Sequence, residues 1–447
     1  MDYKSFSFNP NLQTFSKHQL LQTDVPMLTS ALMSSYLSKQ TIHPLWNRIS
    51  QSPLFSRYKN ISKANDLFSS DFPAYLLYLF NEFGKNHNNS HYFSSCFSKY
   101  SNENQLNAIC EAAAFLTTAN IKFPSILLSE NFILPLISIS TTNKGFSALM
   151  SLQALSNIIE NSEESASILF KFNIFENLKK IYETNNSELS WMAAYTISSL
   201  AKYDFGDFFV QTIFHFFIEH SNKSSQIFDI SLRAFVFLSV HHPHYLYQQN
   251  IVDLLYNLIR KDTSVINHQC FSILCQLIIN FPDVIQHLHQ LGIFSKILMI
   301  FSSTPANYCI EFLCITLKLT RDFDSIIFNN DFLDIFSKFY QNEKNLFKNS
   351  MTRLFIIALS SSNVEIISNI LNSQLVLDLF DTIAQNEKNI ADLLILAFDR
   401  AFSMVDNDDF SPVISEFADC LNEIDPISSP ELYSIAQNIL TTKFSQT

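Results

Sequence analysis

The chain has 447 residues, a formal net charge of −12 and only four glycines, Gly84, Gly145, Gly206 and Gly292. Average usage would give about thirty glycines in a chain of this length, and four isolated ones cannot build a Walker loop, a G-x-G-x-x-G fingerprint or a G-x-S-x-G elbow. The large nucleotide-binding and hydrolase classes are therefore excluded.

The charge is unevenly distributed along the chain. Residues 1–100 carry nine Lys/Arg against five Asp/Glu, whereas residues 101–447 carry twenty against thirty-six. An acidic body disfavours non-specific binding of nucleic acid, which needs a basic stripe to neutralise phosphates. It suits a basic partner, or it keeps a chain with 44 phenylalanines soluble.

The first hundred residues show no regular pattern and predict an irregular, mildly basic helical region over residues 1–100. The segment Arg48–Lys63 carries four positive charges and no acid. It is either a plain surface segment or an intramolecular ligand of the acidic body. The opening MDYKSFSFNP has no basic run followed by an apolar stretch, so no secretory signal is expected.

From residue 131 onward a short phrase recurs seven times, each copy a small or polar residue followed by two apolar ones. Successive apolar starts lie 42, 39, 38, 42, 39 and 43 residues apart, a period typical of stacked helical repeats. The fourth residue after each start is also apolar, which predicts one buried helical face. The copies begin at Asn131-Phe132, Asn173-Ile174, Thr212-Ile213, Asn250-Ile251, Gly292-Ile293, Asp331-Phe332 and Gln374-Leu375.

Each phrase is expected to open a helix, and the polar residue before it to form a corner with a shorter helix, because Asn and Asp tolerate left-handed backbone or cap a helix start. A further helix follows in each repeat. These further helices are expected at residues 108–119, 147–161, 189–203, 228–240, 268–279, 308–319, 351–362 and 391–402. Beyond them, residues 406–447 predict an acidic C-terminal cap with a closing helix at Pro430–Lys443.

The chain resembles the armadillo-repeat family, whose repeat has about forty residues and three helices, the last carrying a pattern like AAWALSNIA. Residues 152–159 (LQALSNII) and 193–201 (AAYTISSLA) match that pattern best. The resemblance covers residues 101–405, with HEAT-type helical pairs as the close competitor. It implies an all-α fold, a right-handed superhelix of about seven or eight repeats.

In that family the last helices of successive repeats line a concave surface that binds extended peptides. The import adaptors of the family repeat a tryptophan and, four residues later, an asparagine along this surface. Only Asn157 keeps the family residue here, which argues against classical binding of import signals. The residues that the resemblance places in the groove are Gln153, Asn157, Trp191, Tyr195, Ser199, Phe235, Ser239 and Phe312.

No group of residues points to catalysis, a metal or a cofactor. His241, His242 and His244 fall in a turn without a neighbouring cysteine, and the acidic run at residues 406–409 lacks the glycine and glutamate of a calcium loop. Seven cysteines without a C-x-x-C predict free, buried thiols in a reducing compartment. The charge-free stretch Thr263–Pro282 is too polar for a membrane span.

The sequence therefore predicts a non-catalytic scaffold or adaptor, cytoplasmic or nuclear, that holds a peptide or protein partner on its concave face. Two alternatives stay open at this point. One is a divergent nuclear-transport adaptor for basic cargo signals, and the other is a nucleotide-exchange regulator of a GTPase or chaperone.

Overall fold

The computed structural model describes residues 106–107, 109–111, 113–114, 117 and 125–444. Short gaps fall at residues 143–144, 185, 262, 305, 343–344, 362, 385–389, 407–408 and 428. The predictions for residues 1–100, among them the role of Arg48–Lys63, lie outside the described residues. Two compact units are present, Met1–Phe237 and Leu238–Thr447.

In the described part of the first unit, every regular element is a helix. The described residues among 106–114 are helical, a 3-10 turn follows at Ser125–Leu128, and another 3-10 turn lies at Ser221–Lys223. The last α-helix continues into the second unit. The α-helices are Glu130–Thr142, Phe146–Asn161, Glu163–Lys171, Ile174–Tyr182, Ser187–Leu200, Asp207–His220 and Ser225–His241.

The second unit is likewise helical throughout its described residues and closes with a π-helical turn at Leu440–Phe444. Its α-helices are Pro243–Gln248, Ile251–Leu258, Ser264–Asn280, Asp283–Leu291, Ile293–Phe301, Asn307–Leu319, Asp324–Ile327, Asn330–Asn342, Asn345–Leu359, Val364–Leu371, Leu375–Ala384, Ala391–Phe402, Ser411–Asn422 and Pro430–Ile439.

A complete repeat contains three helices. A short first helix is followed, after a sharp turn of the chain, by a second helix and then by a third. The described residues contain eight pairs of second and third helices, from Glu130–Thr142 with Phe146–Asn161 to Ser411–Asn422 with Pro430–Ile439. The predicted all-α repeat fold of about seven or eight units is confirmed. The third helices start up to six residues earlier than the sequence pattern suggested.

The corners form where the sequence supplies a residue that accepts left-handed backbone. Asn173 and Asn250 both have φ of 54°, and Gly292 has φ of 91°. These three residues immediately precede the second helices Ile174–Tyr182, Ile251–Leu258 and Ile293–Phe301. The left-handed region is costly for most side chains but accessible to Asn and Gly, so the predicted use of asparagine in place of glycine is confirmed at two corners.

The recurring phrase forms the buried seam of the repeats, as predicted. Each first apolar residue of the phrase is at most 2% exposed, and the residue four places later has no exposed surface in any copy. Burial of this kind stabilises by roughly 25 cal/mol per Å² of apolar surface. The residues four places after each start are Leu136, Leu178, Phe217, Leu255, Ile297, Phe336 and Leu379.

The described residues were predicted to include free cysteines, and their potential metal ligands and apolar helices also bear on function. The described cysteines are all free, and five of the six are buried. Within the described residues, no three His, Cys, Asp or Glu side chains lie together as metal ligands. No single described helix has the length and apolarity of a membrane span, although Asp283–Leu291 with Ile293–Phe301, bent by 67°, meets that test as a pair.

Candidate functional site

The eight residues predicted to line a binding groove all lie on third helices, but most of them are buried. Only Asn157 and Trp191 are partly exposed. Phe312, Ser199 and Ser239 have no exposed surface, and Gln153, Tyr195 and Phe235 keep 4%, 8% and 3%. A buried side chain cannot contact a partner in this conformation, so most of these residues support the exposed face from beneath.

Asn157 has its amide engaged inside the first unit. Its Nδ2 donates to the carbonyl oxygen of Ala114 at 3.1 Å and to Oγ1 of Thr117 at 3.2 Å, and its Oδ1 accepts a hydrogen bond of 2.8 Å from Nε2 of Gln153. The Nδ2 end of the amide therefore ties the third helix Phe146–Asn161 to the preceding segment, while the Oδ1 end is engaged within the helix itself. A partner could bond to this amide only if these hydrogen bonds were broken.

Trp191 is the partly exposed aromatic side chain of the helix Ser187–Leu200. Its ring stacks on Tyr195, one helical turn later, with centroids 5.5 Å apart and planes 19° from parallel. The helix begins at Asn186, whose Oδ1 accepts from the backbone N–H groups of Glu188 and Leu189. This cap and the buried Tyr195 beneath it fix the orientation of the Trp191 ring.

Arg233 lies on the neighbouring third helix, Ser225–His241, and was not predicted as a site residue. Its guanidinium lies over the Tyr195 ring at 4.2 Å and over the Phe237 ring at 4.9 Å from the centroids. It donates to Oε1 of Glu160 at 2.8 Å, and its side chain is only 13% exposed. A cation between two aromatic faces and a carboxylate is held by both cation–π attraction and a charge-assisted hydrogen bond.

The hydroxyls of two serines complete the coordination of Arg233. Ser199 receives a hydrogen bond of 3.1 Å from Nη1 of Arg233 and donates one of 2.9 Å to Oε1 of Glu160. Ser198 also accepts from Nη1. Since Glu160 lies on Phe146–Asn161, the cluster joins three successive third helices of the first unit. We call Glu160, Trp191, Tyr195, Ser199 and Arg233 the Arg233 cluster.

Two further side chains reinforce the end of the helix that carries Glu160. Nζ of Lys202 donates to the Glu160 carbonyl oxygen at 3.1 Å, and the Tyr203 hydroxyl donates to the Ile159 carbonyl oxygen at 2.8 Å. Burial lowers the pKa of Lys202, while the charge of Glu160 opposes that shift. The last carbonyl groups of a helix are unpaired within it, so these contacts satisfy them.

Electrostatics in the Arg233 cluster favour binding over proton transfer. Burial raises the pKa of Tyr195 to about 12, with the Arg233 charge opposing the shift and the Glu160 charge adding to it. The phenol therefore stays protonated at neutral pH. The side chain of Glu160 is 34% exposed, so its carboxylate is the charged group of the cluster that solvent reaches most readily. The surface thus presents one indole ring and one carboxylate on a rigid frame.

The third helices of the second unit present a different surface. Leu393 and Leu396 of Ala391–Phe402 are 52% and 49% exposed. Glu311 and Arg353 are exposed on the two preceding third helices. Burial lowers the pKa of His268, and the nearby Glu311 charge opposes this shift. None of these side chains was predicted, because the family pattern directs attention to the positions that are buried here.

The sequence does hold a signal for Arg233. It is the one charged residue in the stretch from Ile230 to Val240, whose other residues are apolar except for two serines. A charge on a largely buried helix needs a partner, since an unpaired buried charge is costly. The identity of that partner, 73 residues away, is given by the structure alone.

Comparison with known proteins identifies the fold but no family. No protein-family model matches the sequence, and no curated protein matches it. A crystal structure of an engineered protein matches with a TM-score of 0.59 and 13% identity, over 94% of this chain and 98% of the other. A designed armadillo repeat protein in complex with the peptide (KR)4 matches 57% of this chain and 100% of its own at 13% identity, with a TM-score of 0.39.

Proposed function

Because the chain has an armadillo-like helical-repeat fold, we propose that it is a non-catalytic scaffold that binds a peptide or protein segment on its third-helix face. The observation that carries the proposal is the partly exposed Trp191 ring. It stacks on Tyr195, and the guanidinium of Arg233 lies over the same Tyr195 ring. Rigid aromatic side chains in well-packed surroundings are the most common anchors of protein interfaces. A preorganised anchor also loses little conformational freedom on binding.

The chemistry beside Trp191 indicates the kind of segment that would bind. An apolar side chain of the partner would cover the indole ring, and a Lys or Arg next to it would approach the carboxylate of Glu160. The excess of acids over bases in residues 101–447 supports such a partner, since it attracts positive charge from a distance. We expect an extended peptide that carries an apolar residue close to a basic one.

The proposed scaffold acts in the cytoplasm or the nucleus, without a cofactor. This proposal follows from the buried thiols and the acidic body, and localisation of a fluorescent fusion tests it. A mostly organellar or secreted signal would contradict it.

The binding proposal is tested by selecting peptides from a phage-displayed random library on the whole protein. Selected peptides should lose about tenfold or more in affinity for Trp191→Glu, because the substitution removes the anchor and adds a charge. Leu254→Glu is the matched control, since Leu254 is 41% exposed on the second helix Ile251–Leu258, outside the third-helix face. Equal affinity of the selected peptides for wild type and Trp191→Glu, with both proteins folded alike, would contradict the proposal.

A divergent transport adaptor for basic cargo is the second candidate, and one observation favours it. The cage around Arg233 consists of two aromatic rings and a carboxylate, the groups that would also receive a partner's arginine, although here the chain's own arginine fills it. The expected result is that a Lys/Arg-rich peptide binds and that its affinity falls steeply as salt rises to about 0.3 M, since surface charges are screened. Salt-independent binding would count against this role.

The nucleotide-exchange alternative stays a prediction, tested by exchange rates on a candidate GTPase or chaperone.

A further inference from the structure

One repeat of the first unit lacks a first helix. In five other repeats a first helix precedes the second, for example Glu163–Lys171 and Asp283–Leu291. Between the third helix Ser187–Leu200 and the second helix Asp207–His220 there are only six residues, and no first helix lies there. The second helix is correspondingly long, with 14 residues against nine in Ile174–Tyr182.

The corner of this repeat lies six residues earlier than the phrase predicts. Asn173, Asn250 and Gly292, which have positive φ, stand directly before the phrase in their repeats, whereas here the positive-φ residue before the second helix is Gly206, with φ of 88°, and Thr212 lies inside the helix. A β-branched residue strongly disfavours left-handed backbone. Thr212 instead continues the helix, and its hydroxyl donates to the carbonyl oxygen of Phe208 at 2.8 Å. The stretch that elsewhere turns away as a first helix is thus absorbed into the second.

This change of path exposes an aromatic residue. The residue five places before the first apolar residue of each phrase is apolar in all seven copies, and in six of them it has no exposed surface. The seventh is Phe208, which is 84% exposed. The six buried counterparts are Leu127, Leu169, Leu246, Leu288, Ile327 and Ile370.

The residue next to Phe208 in the chain packs against other aromatic rings. Phe209, the next residue, is buried with its ring 4.9 Å from Phe170 and 5.4 Å from Phe205, measured between centroids. Phe170 is 36% exposed and stacks on Phe205 at 4.8 Å. Phe209 is thus buried against the rings of Phe170 and Phe205, whereas Phe208, the residue before it in the chain, is exposed. We call Phe170, Phe205 and Phe208 the aromatic patch.

The charges around the aromatic patch are mostly negative. Asp204 and Asp207 are exposed on either side of Phe205 in the chain. Burial raises the pKa of Tyr203, whose ring neighbours Phe205, and the nearby charge of Glu163 raises this pKa further. Of the nearby lysines, Lys202 is bonded to the Glu160 carbonyl, and Lys171 is exposed. An apolar surface with an acidic border attracts an apolar segment with basic residues beside it.

We infer that the aromatic patch is a docking site for a short amphipathic helix of a partner protein, with leucine-like residues on one face and Lys or Arg along its border. Five of the other repeats show what fits beside a second helix, since in each of them a first helix with a buried Leu or Ile precedes it. A partner helix would supply in trans the element that this repeat lacks. Recognition of this kind, a helix with apolar residues at spacing i, i+3, i+4 and i+7, is common in peptide-binding domains.

The test uses a stapled, fluorescent helical peptide with leucines at that spacing and lysines between them. A control peptide has the same composition in scrambled order, so that the leucines share no face. The whole wild-type protein should bind the patterned peptide about tenfold or more tightly than the scrambled one. Phe208→Asp should remove this preference, whereas Ile427→Asp, at an apolar residue 89% exposed, should keep it.

Three outcomes would overturn the inference. The patterned and scrambled peptides could bind alike, which would reduce the attraction to charge alone. Phe208→Asp could keep the preference while its thermal unfolding matches wild type, as expected for a residue so exposed. Lastly, wild type could self-associate in sedimentation and Phe208→Asp could abolish this, which would make a second copy of the chain the occupant. The Trp191→Glu variant should bind the patterned peptide normally, which separates this site from the proposed scaffold function.

Discussion

The ion pair between Arg233 and Glu160 provides the sharpest test of how the third helices are held together. The perturbation is a double-mutant cycle of Arg233→Met, Glu160→Gln and both together. Methionine keeps an unbranched apolar side chain but lacks the guanidinium that lies over the rings of Tyr195 and Phe237. The substitution removes the charge and the donors that reach Glu160, Ser198 and Ser199.

The magnitude follows from the exposure of the two partners. Breaking a fully buried pair costs about 3–5 kcal/mol, whereas an exposed pair contributes about 0.2–1 kcal/mol. The side chains here are 13% and 34% exposed, so solvent screens the pair in part. We expect a coupling energy of about 1–2 kcal/mol between these bounds. Arg233→Met should cost more, about 3 kcal/mol, because the cation–π contacts and the serine hydrogen bonds are also lost.

The assay is urea unfolding followed by tryptophan fluorescence. The chain has two tryptophans, Trp46 and Trp191, so a Trp46→Phe background leaves a single reporter inside the Arg233 cluster. The transition then reports the stability of the region around this residue, which suits a repeat protein that need not unfold in one step. A coupling energy below about 0.5 kcal/mol would refute the reasoning, since substitutions at distant sites that do not interact add to within that margin. The exposed pair His287–Asp253, with side chains 47% and 58% exposed, is the control, and its coupling by circular dichroism should stay below about 0.5 kcal/mol.

Three further predictions concern the corners, a buried carboxyl and the thiols. Asn173→Ala should destabilise by about 1 kcal/mol in urea unfolding, because alanine is disfavoured at φ of 54°, while Asn173→Gly should not; equal losses would contradict the left-handed corner. Burial raises the pKa of Asp324, and the charge of Arg321 opposes this shift. Above the folded-state pKa of Asp324 its ionised carboxylate therefore destabilises the folded protein. This destabilisation disappears as the pH falls below the pKa of an aspartate in the unfolded chain, about 3.9. Asp324→Asn should therefore raise Tm at pH 7 by about 2–4 °C, and this gain should shrink towards pH 4; a gain that is constant with pH would count against the assignment. In the native protein at pH 7.5, the buried cysteines should be alkylated far more slowly than in urea, as measured by mass spectrometry, because burial raises the pKa of their thiols. Rapid labelling of any of them in the native protein would show that its site opens. The buried cysteines are Cys110, Cys270, Cys275, Cys309 and Cys420.

The sequence predicted the repeat seam almost residue by residue. Leu136, Leu178 and Ile297 stand at the same place in their repeats, and all three are fully buried. The corners at Asn173 and Asn250 were also predictable, since few residues accept their backbone. Both features depend on local conformation and on contact with the nearest repeats, and a periodic sequence encodes such contacts directly.

Exposure on the third helices could not be obtained in this way. Tyr195 and Phe235 occupy the positions that the family pattern places in a groove, yet both are buried beneath or beside Arg233. All eight residues that the family pattern selects lie on third helices. Which side chains reach solvent depends on how far each helix is rotated against its neighbours, and that rotation is set by the packing of many side chains together.

The sequence by itself thus determined the all-helical repeat fold, its buried seam and its left-handed corners. The tertiary structure alone decided that Glu160 meets Arg233 across 73 residues. It also decided that Phe208 is exposed, while its counterparts in the other repeats are buried. The physical reason is that periodic burial is a local property, repeated in every unit. A single ion pair or a shifted corner depends instead on distances and directions between particular helices, which no short stretch of sequence records.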